Sequence, residues 1–136
     1  MENKLRLDIV TPYGSVFSDD VDDFAAPGTE GEFGVFPGHA PFVTTLKTGI
    51  ITYKKDGQTG FIFVSGGYAG IAPDRGVVLA DSAERSEGID VERARAAMKR
   101  AEERLKQAEM IDFVRAQAAL ERATIRVQLA EKHSAR

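Results

Sequence analysis

Ile50-Ile51-Thr52-Tyr53-Lys54-Lys55-Asp56-Gly57-Gln58-Thr59-Gly60-Phe61-Ile62-Phe63-Val64 reads as two strands and a turn. Ile50 to Tyr53 and Phe61 to Val64 are β-branched and aromatic runs, the residue types that pack well on a pleated surface. Asp56-Gly57 between them tolerates the positive φ values of a tight hairpin turn, so the two runs are expected to pair antiparallel. The same grammar extends outward. Leu5, Leu7 and Ile9 alternate with polar residues, which buries one face of a strand. Gly66-Gly67 and Asp74-Arg75-Gly76 mark further turns, and Val77-Val78-Leu79-Ala80 reads as a closing strand. Many short strands at this spacing predict an antiparallel β-sandwich or flattened barrel.

Gly and Pro place the end of that region. Twelve of the 13 glycines and all five prolines lie at or before Gly76, and ten of the 11 aromatic residues precede position 70. Beyond Gly88 the chain is rich in Ala, Glu, Arg, Lys and Gln, which favour helix. Val91, Ala94, Met98, Ala101, Leu105 and Ala108 follow a 3-4 spacing, and so do Phe113, Ala116, Leu120, Ala123, Val127 and Ala130. Asp90 and Asp112 stand where an N-cap carboxylate would satisfy free amides. A short connection around Glu109 to Ile111 makes the two helices antiparallel neighbours. The fold class is therefore α+β, with a β-sandwich over residues 1–84 and a two-helix hairpin over 85–136. Seams so rich in alanine bury little area, so the hairpin is expected to be the mobile part.

Composition narrows the function. The 136 residues contain no cysteine, which excludes disulfides, thiolate catalysis and Cys-ligated metals. No apolar stretch approaches the roughly 20 residues that span a bilayer, and no signal peptide precedes the first strand. The net charge of −3 speaks against nucleic acid as a partner. Residues 1–82 carry −5 and residues 83–136 carry +2, which suggests two surfaces with different partners. There is no phosphate-cradling G-x-x-x-x-G-K-[ST] loop, no G-x-S-x-G elbow and no H-E-x-x-H pair. Asp19-Asp20-Val21-Asp22-Asp23 lacks the spacing of a calcium loop, and reads as a solvated acidic edge that discourages sheet-to-sheet aggregation. His39 and His133 are too far apart in sequence to suggest a metal site or a triad.

The helical half holds the more informative constellation. Arg93 and Arg100 are seven apart and share a helix face, as do Arg122 and Arg126, four apart. If the hairpin closes, both pairs can point to one groove, where guanidinium groups bind phosphate bidentately. The plainer reading is a solvated helix face with weak pairs such as Arg100 with Glu103 or Arg104 with Glu109.

Gly31-Glu32-Phe33-Gly34-Val35-Phe36-Pro37-Gly38-His39-Ala40-Pro41 follows a G-x-x-G-x-x-P-x-H-x-P pattern, and with it the chain resembles the epsilon subunits of bacterial F-type ATP synthases. Leu7 to Pro12, Val64 to Tyr68, Ala83 to Arg85 and Ile89-Asp90-Val91-Glu92-Arg93-Ala94 carry the likeness along the whole chain. The run from Gly31 is a structural loop in this reading, with His39 fixing a turn. The resemblance implies a non-catalytic central-stalk subunit, not an enzyme by itself. Its β-domain would dock on the gamma subunit and the membrane c-ring, coupling proton flow to synthesis elsewhere. Its helical arm would extend toward the catalytic alpha/beta hexamer and inhibit hydrolysis, with Arg115, Arg122 and Arg126 meeting acidic loops. Some family members bind ATP at an I-D-x-x-R-A motif. Carried over, the site would be Glu84, Asp90, Arg93, Ala94, Arg100, Arg122 and Arg126, with Asp90 and the backbone near Ala94 reading adenine. The resemblance implies no required cofactor and would make ATP a regulatory ligand. The location implied is the cytoplasmic face of a bacterial plasma membrane, held there through the complex. Rival readings are a free-standing ATP sensor acting on an unrelated partner, a small enzyme using the Asp19–Asp23 cluster, and a coiled-coil adaptor.

Overall fold

The computed structural model describes residues 4–107 and 110–134, with side chains placed except at 107, 110–113 and 132–134. The chain forms two compact units, which divide between Arg85 and Ser86. The first is a single ten-stranded sheet. Its strands are β1 (Leu5–Thr11), β2 (Gly14–Val21), β3 (Asp23–Gly28), β4 (Gly31–Val35) and β5 (Phe42–Leu46), followed by β6 (Gly49–Lys55), β7 (Gln58–Val64), β8 (Gly67–Ala72), β9 (Arg75–Ala80) and β10 (Ala83–Arg85). The strand order is β10-β7-β6-β3-β5-β8-β9-β1-β2, with β4 branching from β3. The second unit has a short 3-10 turn (Ser86–Gly88) and two helices, α1 (Val91–Gln107) and α2 (Met110–Ser134). Among the described residues no helix is long and apolar enough to cross a membrane.

The hairpin expected at Asp56-Gly57 is present. β6 and β7 pair antiparallel from Gly49↔Val64 to Lys55↔Gln58. The two turn residues take φ values of 51° and 81°, the double left-handed geometry whose twist matches that of the strands it joins. β1 also alternates as expected, with Leu5, Leu7 and Ile9 essentially inaccessible to solvent. These three pack with Val21, Phe24, Ile51, Ile62, Val78 and neighbours into one core enclosed by the curled sheet.

Three details differ from the sequence reading. Val77 to Ala80 do not close the sheet, because β9 lies between β8 and β1 and pairs with β1 in parallel. That pairing joins strands about 70 positions apart, and hydrophobic alternation carries no information about such partners. The closing role falls to β10, on β7. There Arg85 Nε donates to the Val16 carbonyl of β2 at 2.9 Å, and its guanidinium sits 5.1 Å from the Phe17 ring, tying the two ends of the strand order together. The glycine-proline run is a loop only in its second half, since Gly31 to Val35 form β4 against β3. In that second half His39 N donates to Phe36 O at 3.1 Å, and Gly38 N reaches Pro73 O at 2.7 Å, so the loop is pinned by backbone. Finally, α2 starts at Met110, which puts Asp112 inside its first turn instead of at a cap. The side chains of Asp112, Phe113 and His133, and residues Ala108 and Glu109, lie outside the described residues.

Asp19, Asp20 and Asp22 of the acidic stretch have neighbouring cations. Lys55 pairs with Asp19, Lys4 with Asp22 and Asp56, and Arg6 Nη1 lies 3.8 Å from Asp20. Among the described residues no set of three His, Asp or Glu is placed to hold a metal ion. Asp8 is the most constrained carboxylate nearby. Ser18 Oγ donates to it at 2.6 Å, and Arg75 and Arg6 flank it. The Ser18 hydrogen bond, aided by both arginines against a desolvation cost, holds its pKa below the usual carboxylate value. A depressed folded-state pKa gives stability that is present above the unfolded value and is lost as pH falls through the folded one. An Asp8→Asn variant is therefore expected to be less stable than wild type at pH 7 by about 1 kcal/mol or less, given partial screening. The difference should shrink as pH drops below about 4. Chemical denaturation at pH 7 and pH 3 checks this; an equal difference at both values would refute it.

Candidate functional site

The helical unit begins with a cap formed by the Ile89 to Ala94 segment. Asp90 Oδ1 accepts the Arg93 backbone N–H at 3.1 Å, and Ala94 N donates to Asp90 O at 2.9 Å to close the first turn. This is the N-cap expected from sequence, satisfying an amide that has no partner within the helix. Ala94 and Ala101 on α1, with Ala116, Ala123, Val127 and Ala130 on α2, are buried along the expected seams. Small side chains there let two helices approach closely. Leu129 is also fully buried, although it stands off the seam. Arg95 Nη2 pairs with Glu131 Oε1 at 2.6 Å, joining the start of α1 to the end of α2 as their antiparallel arrangement allows.

Beside the seam, α1 and α2 bound a cleft of about 230 Å³. Arg100, Arg104, Arg122 and Arg126 line it over Ala97, Ala101, Ala119 and Ala123. No described carboxylate is bonded to Arg100, Arg104 or Arg122. Three residues of the inferred set, Arg100, Arg122 and Arg126, thus meet in one place. Arg93 is exposed and does not line the cleft, Ala94 is buried in the seam, and the Asp90 carboxylate is engaged in capping. Glu84 stands on β10 of the other unit, opposite Phe63. Arg104 was missed as a cleft residue. The signal was there, since it lies four residues beyond Arg100, the same interval that joins Arg122 to Arg126.

The β unit offers a second surface. Tyr68 of β8 sits opposite Leu79 of β9, and Val43 of β5 opposite Gly70, all on one sheet face. Val43, Tyr68 and Leu79 are respectively 79%, 59% and 55% exposed, a strip of apolar side chain turned to solvent.

The chain is thus a curled β-sandwich followed by a helical hairpin, with an arginine-lined cleft on one unit and an exposed apolar strip on the other. Residues 4–86 match the beta-sandwich domain of the ATP synthase delta/epsilon chain, and residues 87–131 match the long alpha-helix domain of the same chain. The ATP synthase epsilon chain of Thermodesulfovibrio yellowstonii is 57% identical over 108 residues, spanning 79% of this chain and 77% of that one. That of Nitratidesulfovibrio vulgaris is 53% identical over 107 residues, spanning 79% and 80%. The fold is similar to a chain in the Euglena gracilis mitochondrial ATP synthase structure of OSCP, F1 and c-ring, with TM-score 0.80 and 20% identity over 98% of this chain and 82% of that one. The chain belongs to the ATP synthase delta/epsilon family, whose epsilon chains are its relatives and are non-catalytic subunits of the complex.

Proposed function

We propose that the chain works in the central stalk of a proton-translocating ATP synthase and that its helical unit is an ATP-gated inhibitor of hydrolysis. The β unit docks on the gamma subunit and the membrane c-ring, and holds the chain at the cytoplasmic face of the plasma membrane through the complex. The apolar strip of Val43, Tyr68 and Leu79 is the kind of face such docking buries. The helical unit has two states. Folded as a hairpin it permits hydrolysis; extended, it reaches toward the alpha/beta hexamer, where Arg115, Arg122 and Arg126 meet acidic loops and block hydrolysis.

The observation that carries the gating is the arginine cleft. Its walls come from both helices, so it exists only while they lie together. A ligand that binds there favours the closed hairpin by its differential affinity for the two states. ATP would then hold the inhibitor off, and low ATP would release it. Calorimetric titration of the isolated chain should show saturable ATP binding. Arg122→Ala with Arg126→Ala should weaken it by about 100-fold or more, since each charge-assisted contact contributes about 1.5–3 kcal/mol. No binding up to millimolar ATP would remove the gate. A stop after Gly88 in the assembled complex should raise hydrolysis several-fold; an unchanged rate would end the inhibitory role and leave the stalk role intact.

A further inference from the structure

The sheet is thinnest where the chain leaves it. β10 has three residues, and the last of them, Arg85, directly precedes the helical unit. A strand this short makes few ladder bonds, and β10 pairs on one side only, with β7. Its start is held by backbone and core. Ser65 N donates to Ser82 O at 2.9 Å just ahead of it, and Ala83 packs against the core cluster. Its end is held in another way. Arg85 stands opposite Ile62, and its side chain crosses to β2, at the far end of the strand order. There Nε donates to Val16 O at 2.9 Å, and the guanidinium rests 5.1 Å from the centre of the Phe17 ring. Phe17 is a firm seat, because it is buried and its ring lies tilted against Tyr53 at 4.6 Å. Among the described residues no backbone ladder joins β2 to β10, so one side chain closes this seam. It also occupies a carbonyl of an edge strand that has no ladder partner on that side.

Fraying starts at chain ends and runs inward through the weakest contacts. Whenever the two helices come apart, β10 becomes such an end, joined to a segment that no longer holds it. We propose that Arg85 is a clamp that stops opening of the helical unit from running into the sheet, so that the pivot of the arm lies at Ser86 or beyond. Its use rests on the two-state arm described above: the apolar strip on β5, β8 and β9 keeps its shape while the arm changes state. Arg85 is a positioning residue, acting through its hold on β2.

The test is amide hydrogen exchange of the full chain, read at residues 83–85, with residues 5–11 of β1 as the internal control. Ala101→Pro with Ala123→Pro interrupts α1 and α2 in their interiors and should abolish most of the helical circular dichroism. Exchange at 83–85 is expected to stay within about two-fold of wild type in that variant. Arg85→Ala with the helices intact should speed it about ten-fold, since a solvent-exposed hydrogen bond and a cation–π contact are lost together. Combining Arg85→Ala with the two prolines should add about ten-fold more, because the unclamped strand then frays with the arm. Residues 5–11 should not change in any variant. Faster exchange at 83–85 in the proline pair alone would assign β10 to the arm and overturn the proposal. An unchanged rate in Arg85→Ala would remove the clamp, and a rise matched at residues 5–11 would reduce Arg85 to a general stabiliser of the sheet. No further rise on combination would mean that the arm places no load on β10, which also overturns it. Should Arg85→Ala fail to fold, Arg85→Lys takes its place, keeping the charge beside Phe17 without the Nε–H; the same pattern is expected at about three-fold per step. Neither nucleotide nor partner enters this experiment, so a result against the clamp leaves the tests of ATP gating and of inhibition as they stand.

Discussion

Replacing Phe24 by Ala is expected to destabilise the β unit by about 4 kcal/mol, close to a thousand-fold in the folding equilibrium. Phe24 is 1% exposed on β3, within the core that the curled sheet encloses. Its ring lies under β9, where Gly76 lets the strand pass over it. A Cβ built at Gly76 would come within 2.8 Å of Phe24 Cζ. The ring thus fills a space bounded by paired backbone, and paired strands cannot move inward to fill the void it would leave. Phe24→Leu keeps much of the volume and should cost about 1.5 kcal/mol or less. The three tyrosines, Tyr13, Tyr53 and Tyr68, all lie in this unit and the chain has no tryptophan, so tyrosine fluorescence in a urea titration reports the β unit alone. A loss below about 1.5 kcal/mol for Phe24→Ala would mean that the core repacks around the gap, against the rigidity argued here.

Gly67→Ala should be as damaging for a different reason. Gly67 has φ +117°, a conformation that side chains rarely adopt, and it opens the pairing of β8 with β9 opposite Ala80. A Cβ there would stand 2.1 Å from Leu79 O and 2.8 Å from Ala80 Cα. Both are backbone atoms of the partner strand, so relief requires the strands to separate. Strain of about 1–3 kcal/mol at the residue itself, added to lost ladder bonds, gives an expected cost of about 3 kcal/mol or more. Gly70→Ala, three residues along the same strand with nothing within 4 Å of its Cβ position, is the matched control. It should stay within about 0.5 kcal/mol of wild type. Equal effects from the two substitutions would show that loss of glycine in β8, and not the clash with β9, is what matters. Tyr68 and Leu79 form the exposed strip on these same two strands, so the docking proposed for that strip predicts that a β unit that loses this pairing also fails to associate with a gamma partner.

Sequence by itself determined what is local. The Asp56-Gly57 turn and the two strands it joins, the alternation of β1, the Asp90 cap and the alanine seams all follow from residues within a turn or two of one another. Their periods and backbone preferences leave few alternatives. The division into a β unit and a helical unit was visible in the same way, in where glycine and proline stop. The shared face of Arg122 and Arg126 was legible too, because an interval of four residues on a helix fixes it.

Only the tertiary structure decided which distant segments meet. Nothing in Val77 to Ala80 says that β9 will lie parallel to β1, or that the three residues of β10 will bring Arg85 to Val16. Such contacts depend on how the whole sheet curls, and a strand's own alternation tells which face is buried without telling who lies beside it. The arginine site shows the same division. Sequence grouped Arg93 with Arg100 on one face, but Arg93 stands about 10 Å along α1 from Arg100, and the register of α1 against α2 put Arg104 in the cleft and left Arg93 outside it. That register follows from how the alanine seams interlock, a relation between two helices that neither segment contains alone.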